Sequence, residues 1–457
     1  MVNWYYQLAT TRANGRQFAS FVVVPMKPDN LGGEDAAWLH MEEATNPMVV
    51  NGVVQLAAPL PLERAYGLFE RMASIPHFRA RVVEPALGVG PPHWEPVADF
   101  HLGEHIERVE LADATDDTLS AFIGQAVSRL LDLHRPLWHV YLIDRPGMGT
   151  TVLYRVHHSI ADGFALLAVL LSLCDDDGNV TRDPTPKQAT TPPHAIIGAA
   201  KALGRLVVLP ADPKSLLKGR LGPDKLVAWS RPLALAEIKE AARASSATIN
   251  DVLVAVAAGA IGRYLARRGE CHSALEVRAM VPVNLRTPAA SGILDNRFGL
   301  VVLGLPVGVR DPAVRVAAVK QRMQQLKATP EAVATHALLG AMGLAPRAVE
   351  DRGVTFFGTK SSLVLTNVPG PRVRLSLAGI PVTRIMFWVP QSGRMGLGLS
   401  IFSYAGEVTI GVLADKLVIP DPDVLVVDLH AELDALLAQI RERGKIPATG
   451  EARQVTR

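Results

Sequence analysis

Apolar segments of strand length alternate with segments of helical periodicity along most of this chain. In the first half, Met48–Leu56 reads as a strand and Leu62–Ala73 as a helix. In the second half, Asn250–Arg268 reads as a helix and Val277–Leu285 as a strand. Alternation of this kind favours an α/β fold, in which helices cover a sheet. Because 457 residues are too many for one ordinary hydrophobic core, we expect two domains.

A change of composition divides the chain near its middle. After Cys174 the sequence carries an acidic cluster, several prolines and threonines, and little apolar periodicity as far as Pro193, which is typical of a linker. The similar size and patterning of the two halves suits two related domains. We therefore predict an N-terminal domain over residues 1–178, an interdomain linker over residues 179–228 and a C-terminal domain over residues 229–457.

The chain is rich in apolar residues, with a hydrophobic fraction of 49% and a mean hydropathy of +0.19. A membrane-spanning helix needs about 20 consecutive apolar residues, and the candidate that begins at Val252 is soon interrupted by arginines. We therefore assign the apolar excess to the core, to an apolar substrate channel or to a surface that contacts lipid. The candidate for such a surface is Ala195–Leu209, where Lys201 and Arg205 interrupt apolar residues. This segment forms either a helix on a membrane surface or a helix packed across the two domains.

Composition also argues against several classes of protein. Cys174 and Cys271 are the only cysteines, too few for a disulfide framework or a cysteine metal site. A net charge of +3, with no dense basic run, argues against a nucleic-acid partner. The N-terminus lacks the basic-then-apolar pattern of a signal peptide, so we expect a cytoplasmic protein. The sequence leaves the oligomeric state open.

The segment H-H-S-I-A-D-G at residues 157–163 carries the clearest chemical signal. A predicted strand over Thr151–Val156 leads directly into it, and a helix is expected to follow. Because adjacent strand residues point to opposite faces of a sheet, His157 and His158 are expected to have different roles. A neutral imidazole can take the proton of a hydroxyl group as its oxygen attacks a carbonyl, an effect worth roughly 10²–10⁴-fold in rate.

The other residues of the motif suit such a site. Asp162 lies at the predicted helix start, where a carboxylate caps free N–H groups, and Gly163 allows a tight turn that leaves space for a reacting group. Taken singly, these residues have structural alternatives: a helix cap, a polar histidine at a strand end, or a histidine pair that ligates a metal with Asp162. The chain has no G-x-S-x-G elbow around a serine. The complete pattern therefore indicates direct acyl transfer from a thioester to an alcohol.

From about Gly33 to about Leu437, the chain resembles the bacterial wax ester synthase/diacylglycerol acyltransferase family. This family shares its histidine motif with chloramphenicol acetyltransferase and with peptide-synthetase condensation domains. The further blocks that carry the resemblance are D-A-A-W-L-H-M-E at residues 35–42, N-P-M at 46–48, P-L-W at 136–138 with I-D at 143–144, N-D at 250–251, P-V-N-L-R at 282–286 and N-V-P-G-P at 367–371. The resemblance implies two chloramphenicol-acetyltransferase-like domains, each a mixed sheet with packed helices, and an active site in a tunnel between them.

The resemblance also implies roles for the residues of the motif. His158 would be the general base. His157 would be a supporting residue, and Gly163 would belong to the same catalytic motif. Asp162 would fix the loop through an ion pair rather than move protons, and Arg286 is the candidate partner of that pair and a candidate substrate contact.

Outside the motif, the family blocks supply further candidates for substrate binding, Asn250, Asp251 and Asn367. Asn250 would lie near the reacting carbonyl and help to hold the oxyanion or the substrate; its structural alternative is the cap of a buried helix. Residues 367–371 form either a rigid turn or a turn that also lines the pocket. For Pro136-Leu137-Trp138 we favour core packing.

The implied reaction moves a fatty acyl group from acyl-CoA to a long-chain alcohol or to diacylglycerol, releasing free CoA and needing no further cofactor. The implied location is peripheral, at the inner membrane face or on lipid inclusions. Arg145, Val49 and residues 1 to about 32 depart from the family pattern, which bears on acceptor preference. One alternative uses the same base with a carrier-protein donor, or with a polyketide alcohol or an amine as acceptor. Another is a catalytically silent lipid-binding relative.

Overall fold

The structure is a computed structural model that describes residues 3–13, 16–26, 29–85, 90–175, 203–270, 272–286, 296–391 and 393–445. It shows the expected α/β architecture, with two large mixed sheets that are covered by helices.

The strands of the first half are β1 (Asn3–Ala13), β2 (Arg16–Met26), β3 (Asp29–Asn30), β4 (Val49–Leu56), β5 (Ala80–Val83), β6 (His93–Pro96), β7 (Ile106–Glu110), β8 (Trp138–Asp144) and β9 (Thr151–His157). Its helices are α1 (Gly33–His40), α2 (Leu62–Ala73), α3 (Asp116–Val127) and α4 (Gly163–Leu173), with short 3₁₀ turns at Pro76–Arg79 and Leu102–Glu104.

The strands of the second half are β10 (Lys225–Trp229), β11 (Leu233–Ala234), β12 (Val277–Asn284), β13 (Phe298–Leu305), β14 (Leu363–Pro369), β15 (Ser376–Leu377), β16 (Ile380–Trp388), β17 (Leu397–Tyr404) and β18 (Glu407–Asp415). Its helices are α5 (Leu235–Ala244), α6 (Ile249–Ala266), α7 (Pro312–Lys327), α8 (Glu331–Met342), α9 (Arg347–Gly358) and α10 (Pro422–Lys445).

The first large sheet places the histidine motif at the end of an inner strand. Its strand order is β15-β16-β4-β9-β8-β7, and its neighbours are antiparallel except for β7 and β8. Apolar side chains of α2 and α4, such as Phe69 and Leu166, cover one face of this sheet. Side chains of α3, such as Leu119 and Ile123, cover the other face. β9 therefore delivers the motif from a rigid, covered sheet.

The second large sheet has the order β10-β18-β17-β14-β12-β13, with β11 also pairing with β18. Helices α5, α6, α7 and α10 pack on it in one apolar core. Among the described helices, α6 alone is long and apolar enough to cross a membrane, with a hydropathy of 1.4, although the sequence had suggested no such span. Because 78% of this helix is buried inside the protein, its apolarity is accounted for by the core.

Two neighbouring strands of the second half, β15 and β16, belong to the first sheet. β16 pairs antiparallel with β4, with Ile385 opposite Val54. Val227 of β10 and Leu413 of β18 also share an apolar cluster with Ile123 of α3. The predicted segments 1–178 and 229–457 therefore share a sheet and a core, and the motif lies close to their junction.

Residues 179–202 of the predicted linker, including residues 195–202 of its candidate helix, lie outside the described residues. Residues 203–208 are helical. Within this piece Leu206 is buried, whereas Val208 is 78% exposed. The chain is then anchored to the second half, because Asp212 accepts hydrogen bonds from Ser362 Oγ at 2.5 Å and from Arg278 N at 3.1 Å.

Candidate active site

The two histidines of the motif lie where the chain leaves the first sheet. His157 is the last residue of β9 and is paired with Val49 of β4. The turn that follows is held by two backbone hydrogen bonds, from His158 N to Met48 O at 2.8 Å and from Ile160 N to His157 O at 3.0 Å. The two imidazoles have different surroundings, whereas the difference in role expected from the sequence stays a prediction.

His158 lies among aromatic rings. Its imidazole stacks on Trp38 of α1 with ring centroids 4.1 Å apart, and its centroid is 5.6 Å from that of Phe298 of β13. Burial of the side chain lowers the pKa of His158 to about 4, and the charge of Asp162 opposes this shift because it favours the imidazolium. The imidazole is therefore neutral near physiological pH, which is the form that a general base needs.

His157 is fully buried and contacts polar groups of the turn. Its Nδ1 accepts a hydrogen bond from Ser159 N at 3.1 Å, so the ring proton belongs on Nε2. Nε2 lies 3.3 Å from Glu42 Oε2, although the pair is not aligned as a hydrogen bond. The same carboxylate accepts a hydrogen bond from Met48 N at 3.1 Å. His157 and Glu42 thus stabilise the turn on which His158 lies.

Asp162 holds the start of α4 and links it to the second half. Its Oδ1 accepts hydrogen bonds from Phe164 N and Ala165 N, each at 3.0 Å. Its Oδ2 accepts one from Arg297 N at 3.2 Å and forms an ion pair with Arg286 Nη1. The predicted ion pair is therefore present, and both of its members are buried. With both oxygens occupied, the carboxylate is suited to positioning the loop.

The sequence brought Asn250 and Asn367 into consideration separately, and the structure places them together. Asn367 Nδ2 of β14 donates a hydrogen bond to Asn250 Oδ1 of α6 at 2.9 Å. Asn250 is not the helix cap, because Thr248 occupies that position. Thr248 and Asp251 form a reciprocal capping box, with hydrogen bonds of 2.9 and 3.1 Å. Substrate binding by Asn250, Asp251 and Asn367 stays a prediction.

The reason proposed for Gly163 needs correction. This residue does not have a left-handed backbone, so the turn itself does not require a glycine there. A Cβ atom at Gly163 would meet no atom within 4 Å. The residue instead borders an apolar cavity, and the missing side chain leaves that space open.

Apolar cavities reach two neighbours of His158. One cavity, of about 360 Å³, borders Gly163. A second, of about 430 Å³, lies between the first sheet and helices α2 and α4 and shares Tyr154 and Leu166 with it as lining residues; together we call them the sheet cavity. Another, of about 660 Å³, borders Trp38 and is called the helix cavity. The helix cavity is lined mainly by α8, α9 and β13, with Leu300, Leu339, Met342, Phe357 and Lys360 among its residues.

Four residues beside the histidines had no predicted role: Trp38, Glu42, Asn296 and Phe298. Trp38 and Glu42 belong to the block at residues 35–42, which carried the family resemblance without indicating a function. Asn296 and Phe298 are more than a hundred residues from the motif in the sequence, and no spacing rule connects them with it.

Further predictions concern residues outside this centre. The core packing favoured for the P-L-W block is confirmed, because Trp138 is buried, stacks on His105 and donates a hydrogen bond to Phe78 O at 2.8 Å. Arg145, a departure from the family pattern, is also buried and donates to Ala114 O at 2.9 Å. Val49, the other departure, is a buried residue of β4.

Three arginines lie at the C-terminal end of α6, Arg263, Arg267 and Arg268. In the structure they form ion pairs with acidic residues of the C-terminal part of the chain, namely Arg263 with Glu432, Arg267 with Asp428 and Arg268 with Asp421. These contacts favour a structural role. Within the described ranges, no group of three or more His, Cys, Asp or Glu side chains could hold a metal ion.

Two family models match the chain. The wax ester synthase/diacylglycerol acyltransferase catalytic domain covers residues 31–212, and the WS/DGAT C-terminal domain covers residues 294–437. The probable diacylglycerol O-acyltransferase tgs1 of Mycobacterium tuberculosis is 27% identical over 457 residues, covering 90% of this chain and 96% of the relative. A putative diacylglycerol O-acyltransferase of the same species is 27% identical over 446 residues, covering 86% of this chain and 87% of the relative.

Solved structures show the same fold. The wax ester synthase/diacylglycerol acyltransferase from Marinobacter aquaeolei VT8 superposes with a TM-score of 0.68 at 20% identity, covering 90% of this chain and 100% of that one. The first condensation domain of the calcium-dependent antibiotic synthetase superposes with a TM-score of 0.62 at 16% identity, covering 91% of this chain and 96% of that one. At these identities the likeness concerns the fold alone.

Proposed function

The chain belongs to the wax ester synthase/diacylglycerol acyltransferase family of acyl-CoA-dependent O-acyltransferases, and from this premise we propose that it transfers a fatty acyl group to the hydroxyl of diacylglycerol or of a long-chain alcohol. The observation that carries the proposal is a neutral, buried His158 with apolar cavities at its neighbours Trp38 and Gly163. The names of the curated relatives make diacylglycerol the first acceptor to test.

In the proposed mechanism, His158 takes the proton of the acceptor hydroxyl as its oxygen attacks the thioester carbonyl of acyl-CoA. A C–O bond forms and the C–S bond breaks, and the imidazolium returns the proton to the departing CoA sulfur. The negative charge of Asp162 favours the imidazolium formed in between. The amides of Asn250 and Asn367 are candidate donors to the oxyanion. No covalent enzyme intermediate is required.

Two lipid chains must meet at one base in this reaction. The sheet cavity and the helix cavity supply two apolar spaces, one bordered by Gly163 and the other by Trp38. Apolar walls are suited to fatty acyl and acceptor chains, because burying each methylene group contributes about 0.8 kcal/mol. We therefore propose that the donor and acceptor chains occupy the two cavities, one each.

The purified protein can be tested in a thiol-release assay with a long-chain acyl-CoA, in which diacylglycerol and a long-chain alcohol are compared and the lipid products are resolved. We expect triacylglycerol or wax ester in amounts equal to the released CoA. Thiol release only from an acyl-carrier-protein donor, or acylation of an amine only, would support the first alternative. Lipid binding without thiol release under any of these conditions would support a silent lipid-binding protein.

Peripheral association with a membrane or lipid droplet from the cytoplasmic side is a further part of the proposal. Val207 and Val208 are 55% and 78% exposed. They directly follow Arg205 and Leu206 in the sequence, and Leu206 borders the helix cavity. Apolar side chains beside a basic residue at the cavity are suited to contact with an anionic lipid surface.

Vesicle co-sedimentation tests this surface. The double substitution Val207→Ser with Val208→Ser should reduce binding to vesicles that contain anionic lipid. Val427→Ser is a matched control, because Val427 is 65% exposed on α10, away from the cavity. Equal binding by both variants and the wild-type protein would contradict the assignment of this surface.

A further inference from the structure

One tyrosine interrupts the apolar lining of the sheet cavity. Among the described residues that border its two parts, Tyr154 of β9 is the only one whose side chain carries an oxygen or nitrogen atom, and it borders both parts. No hydrogen bond joins its hydroxyl to another residue of the described ranges. Burial raises the pKa of this hydroxyl, so the group stays protonated and can donate a hydrogen bond.

The pairing of β4 with β9 determines where this hydroxyl lies. Gly52 of β4 is opposite Tyr154, and a Cβ atom at Gly52 would lie 2.3 Å from Tyr154 Oη. The tip of the tyrosine ring therefore lies over β4, in the space that a side chain at this position would fill. Alternate residues of a strand share a face, and Val50 and Val54, two positions before and after Gly52, border the sheet cavity. The hydroxyl is thus part of the cavity wall at β4 and has apolar neighbours on both sides.

An enclosed hydroxyl without a partner selects among the lipids that enter the cavity. A hydrocarbon chain beside Tyr154 would separate its hydroxyl from water and offer no acceptor, which disfavours binding. A carbonyl oxygen at the same place would accept the hydrogen bond and remove that penalty. A long-chain alcohol has no oxygen besides its hydroxyl, whereas diacylglycerol carries two ester carbonyls in addition to its free hydroxyl. The hydroxyl of Tyr154 is therefore suited to discriminate between these two classes of acceptor.

The position of Tyr154 along β9 separates this contact from the reacting atoms. A strand rises about 3.3 Å per residue, so the backbone of Tyr154 lies about 10 Å from that of His157, the residue before the proposed base. The sheet cavity borders Gly163 of the same motif. A lipid whose free hydroxyl is at His158 would therefore present a different oxygen to Tyr154. Diacylglycerol has such oxygens, because its glycerol backbone separates the free hydroxyl from the ester carbonyls.

We propose that the sheet cavity takes the acceptor lipid and that Tyr154 is a specificity-determining residue, whose Oη donates a hydrogen bond to an ester carbonyl oxygen of diacylglycerol. This inference rests on the proposed function, since it assigns the acceptor of that reaction and the cavity that holds it. The acyl chain of the donor is then left to the helix cavity. No bond is made or broken at Tyr154, so its contribution is to the binding of acceptors that carry an ester.

The hydrogen bond can be observed without any reaction. Diacylglycerol labelled with ¹³C at its ester carbonyls is bound to the full-length protein, and isotope-edited infrared spectroscopy reports the carbonyl stretch. We expect a carbonyl band at lower frequency in the wild-type protein than in Tyr154→Phe, because a donated hydrogen bond weakens the C=O bond. Identical carbonyl bands in the two proteins, or the absence of bound diacylglycerol in the wild-type protein, would overturn the proposal.

Acceptor kinetics supply a second readout. Diacylglycerol is compared with a long-chain alcohol and with dialkylglycerol, in which ether oxygens replace the esters and no carbonyl is present. Tyr154→Phe should lower kcat/KM for diacylglycerol by about 5- to 10-fold, the effect of one hydrogen bond, and change the other two values by less than about twofold. An equal fall for all three acceptors, or no fall for diacylglycerol, would contradict the role of Tyr154. If the infrared shift is present while no acyl-CoA reaction is found, the proposed function is wrong and the contact with diacylglycerol stands.

Tyr404→Phe provides the matched control. Tyr404 is a buried tyrosine of β17, whose hydroxyl donates to Val382 O at 3.1 Å and accepts from Leu375 N at 2.7 Å. Its loss should lower stability and leave the ratio of kcat/KM between diacylglycerol and dialkylglycerol unchanged. Tyr154→Phe should show the opposite pattern, with stability at or above that of the wild-type protein and a changed ratio. An equal change of this ratio in both variants would show a general effect of lost hydroxyls and would contradict the specific role of Tyr154.

Discussion

Among the residues of the motif, surroundings rather than chemical type separate the two histidines. His158 stacks on the indole of Trp38, whereas His157 bonds to Ser159 and lies against Glu42. Apolar surroundings disfavour a charged imidazole. The surroundings of His158 therefore support its proposed role as a neutral base.

The lowered pKa of His158 leads to a prediction about pH. A base works in its unprotonated form, so lowering its pKa from 6.5 to about 4 extends activity toward lower pH. We expect the acid limb of kcat/KM to lie below pH 5, measured by thiol release after a check that the protein stays folded. An acid limb near pH 6.5 would show that His158 is not desolvated in the free enzyme.

The ion pair between Asp162 and Arg286 leads to a prediction about stability. Both side chains are about 5% exposed, so Arg286→Met leaves a buried carboxylate without its charged partner. We expect a loss of about 3–5 kcal/mol in the free energy of unfolding, measured in urea. The control is Arg394→Met, whose pair with Glu43 is 46% and 39% exposed and whose loss should cost at most about 1 kcal/mol. Equal losses would contradict the structural role of Asp162.

Residues of the site were predictable where the motif itself carries them. The position of Asp162 at a helix start followed from capping chemistry and is confirmed, whereas the different roles expected of the two histidines stay a prediction. Trp38 and Asn296 could not be assigned in this way. Their place beside His158 depends on how α1 and the segment before β13 pack, and the sequence contains no periodicity that reports this packing.

At the level of elements, helix α1 places Trp38 against His158, and the position of α1 depends on its contact with α8. A Cβ atom at Gly343 would lie 1.8 Å from Gly33 O, and one at Gly33 would lie 2.1 Å from Gly340 O. Close approach of these helices therefore requires glycine on both sides.

This contact predicts that Gly343→Ala displaces α1. We expect a loss of about 1–3 kcal/mol in stability, because overpacking forces the backbone to move, together with a fall in kcat. Gly67→Ala is the control, since Gly67 lies within α2 and a Cβ there would meet no atom within 4 Å. The control should be as stable as the wild-type protein or more stable. Thermal unfolding and thiol release measure both, and an undisturbed Gly343→Ala variant would contradict the account.

Elements were predictable where one face is regularly apolar. The helix over Leu62–Ala73 has the predicted bounds, and the strand predicted over Met48–Leu56 begins one residue later, at Val49. Helices α8 and α9 were not predicted. In α9 the only buried residue is Glu350, and α8 buries only Glu331, Ala334 and Leu339. With so few buried residues, α8 and α9 lack the continuous buried apolar stripe by which a helix is recognised.

For the whole molecule, β16 makes the first sheet dependent on the second half. A fragment of residues 1–178 would leave the edge of β4 unpaired at the position that Ile385 and its neighbours occupy. Open strand edges promote aggregation. We therefore expect this fragment to aggregate and the full chain to unfold in one transition by circular dichroism and tryptophan fluorescence. A soluble fragment with a cooperative unfolding transition would contradict this dependence.

The sequence could not show that β16, a strand of the second half, pairs with β4 in the first sheet. The apolar pattern of β16 is that of a strand, and it is the same whichever sheet the strand joins. The two-domain architecture could be predicted from composition and alternation. The pairing of β16 with β4 could not be predicted, because the two strands are more than three hundred residues apart in the sequence and neither carries a local signal of its partner.

The central claim is that His158 is the base of an acyl transfer, and the rate of CoA release by His158→Ala tests it most directly. The measurement uses a saturating acceptor and protein shown by circular dichroism to be folded, with His139→Gln, a histidine of β8, as the control. We predict that kcat falls by about 10²–10⁴-fold in His158→Ala and stays near the wild-type value in the control. Unchanged CoA release and lipid product in folded His158→Ala would contradict the account.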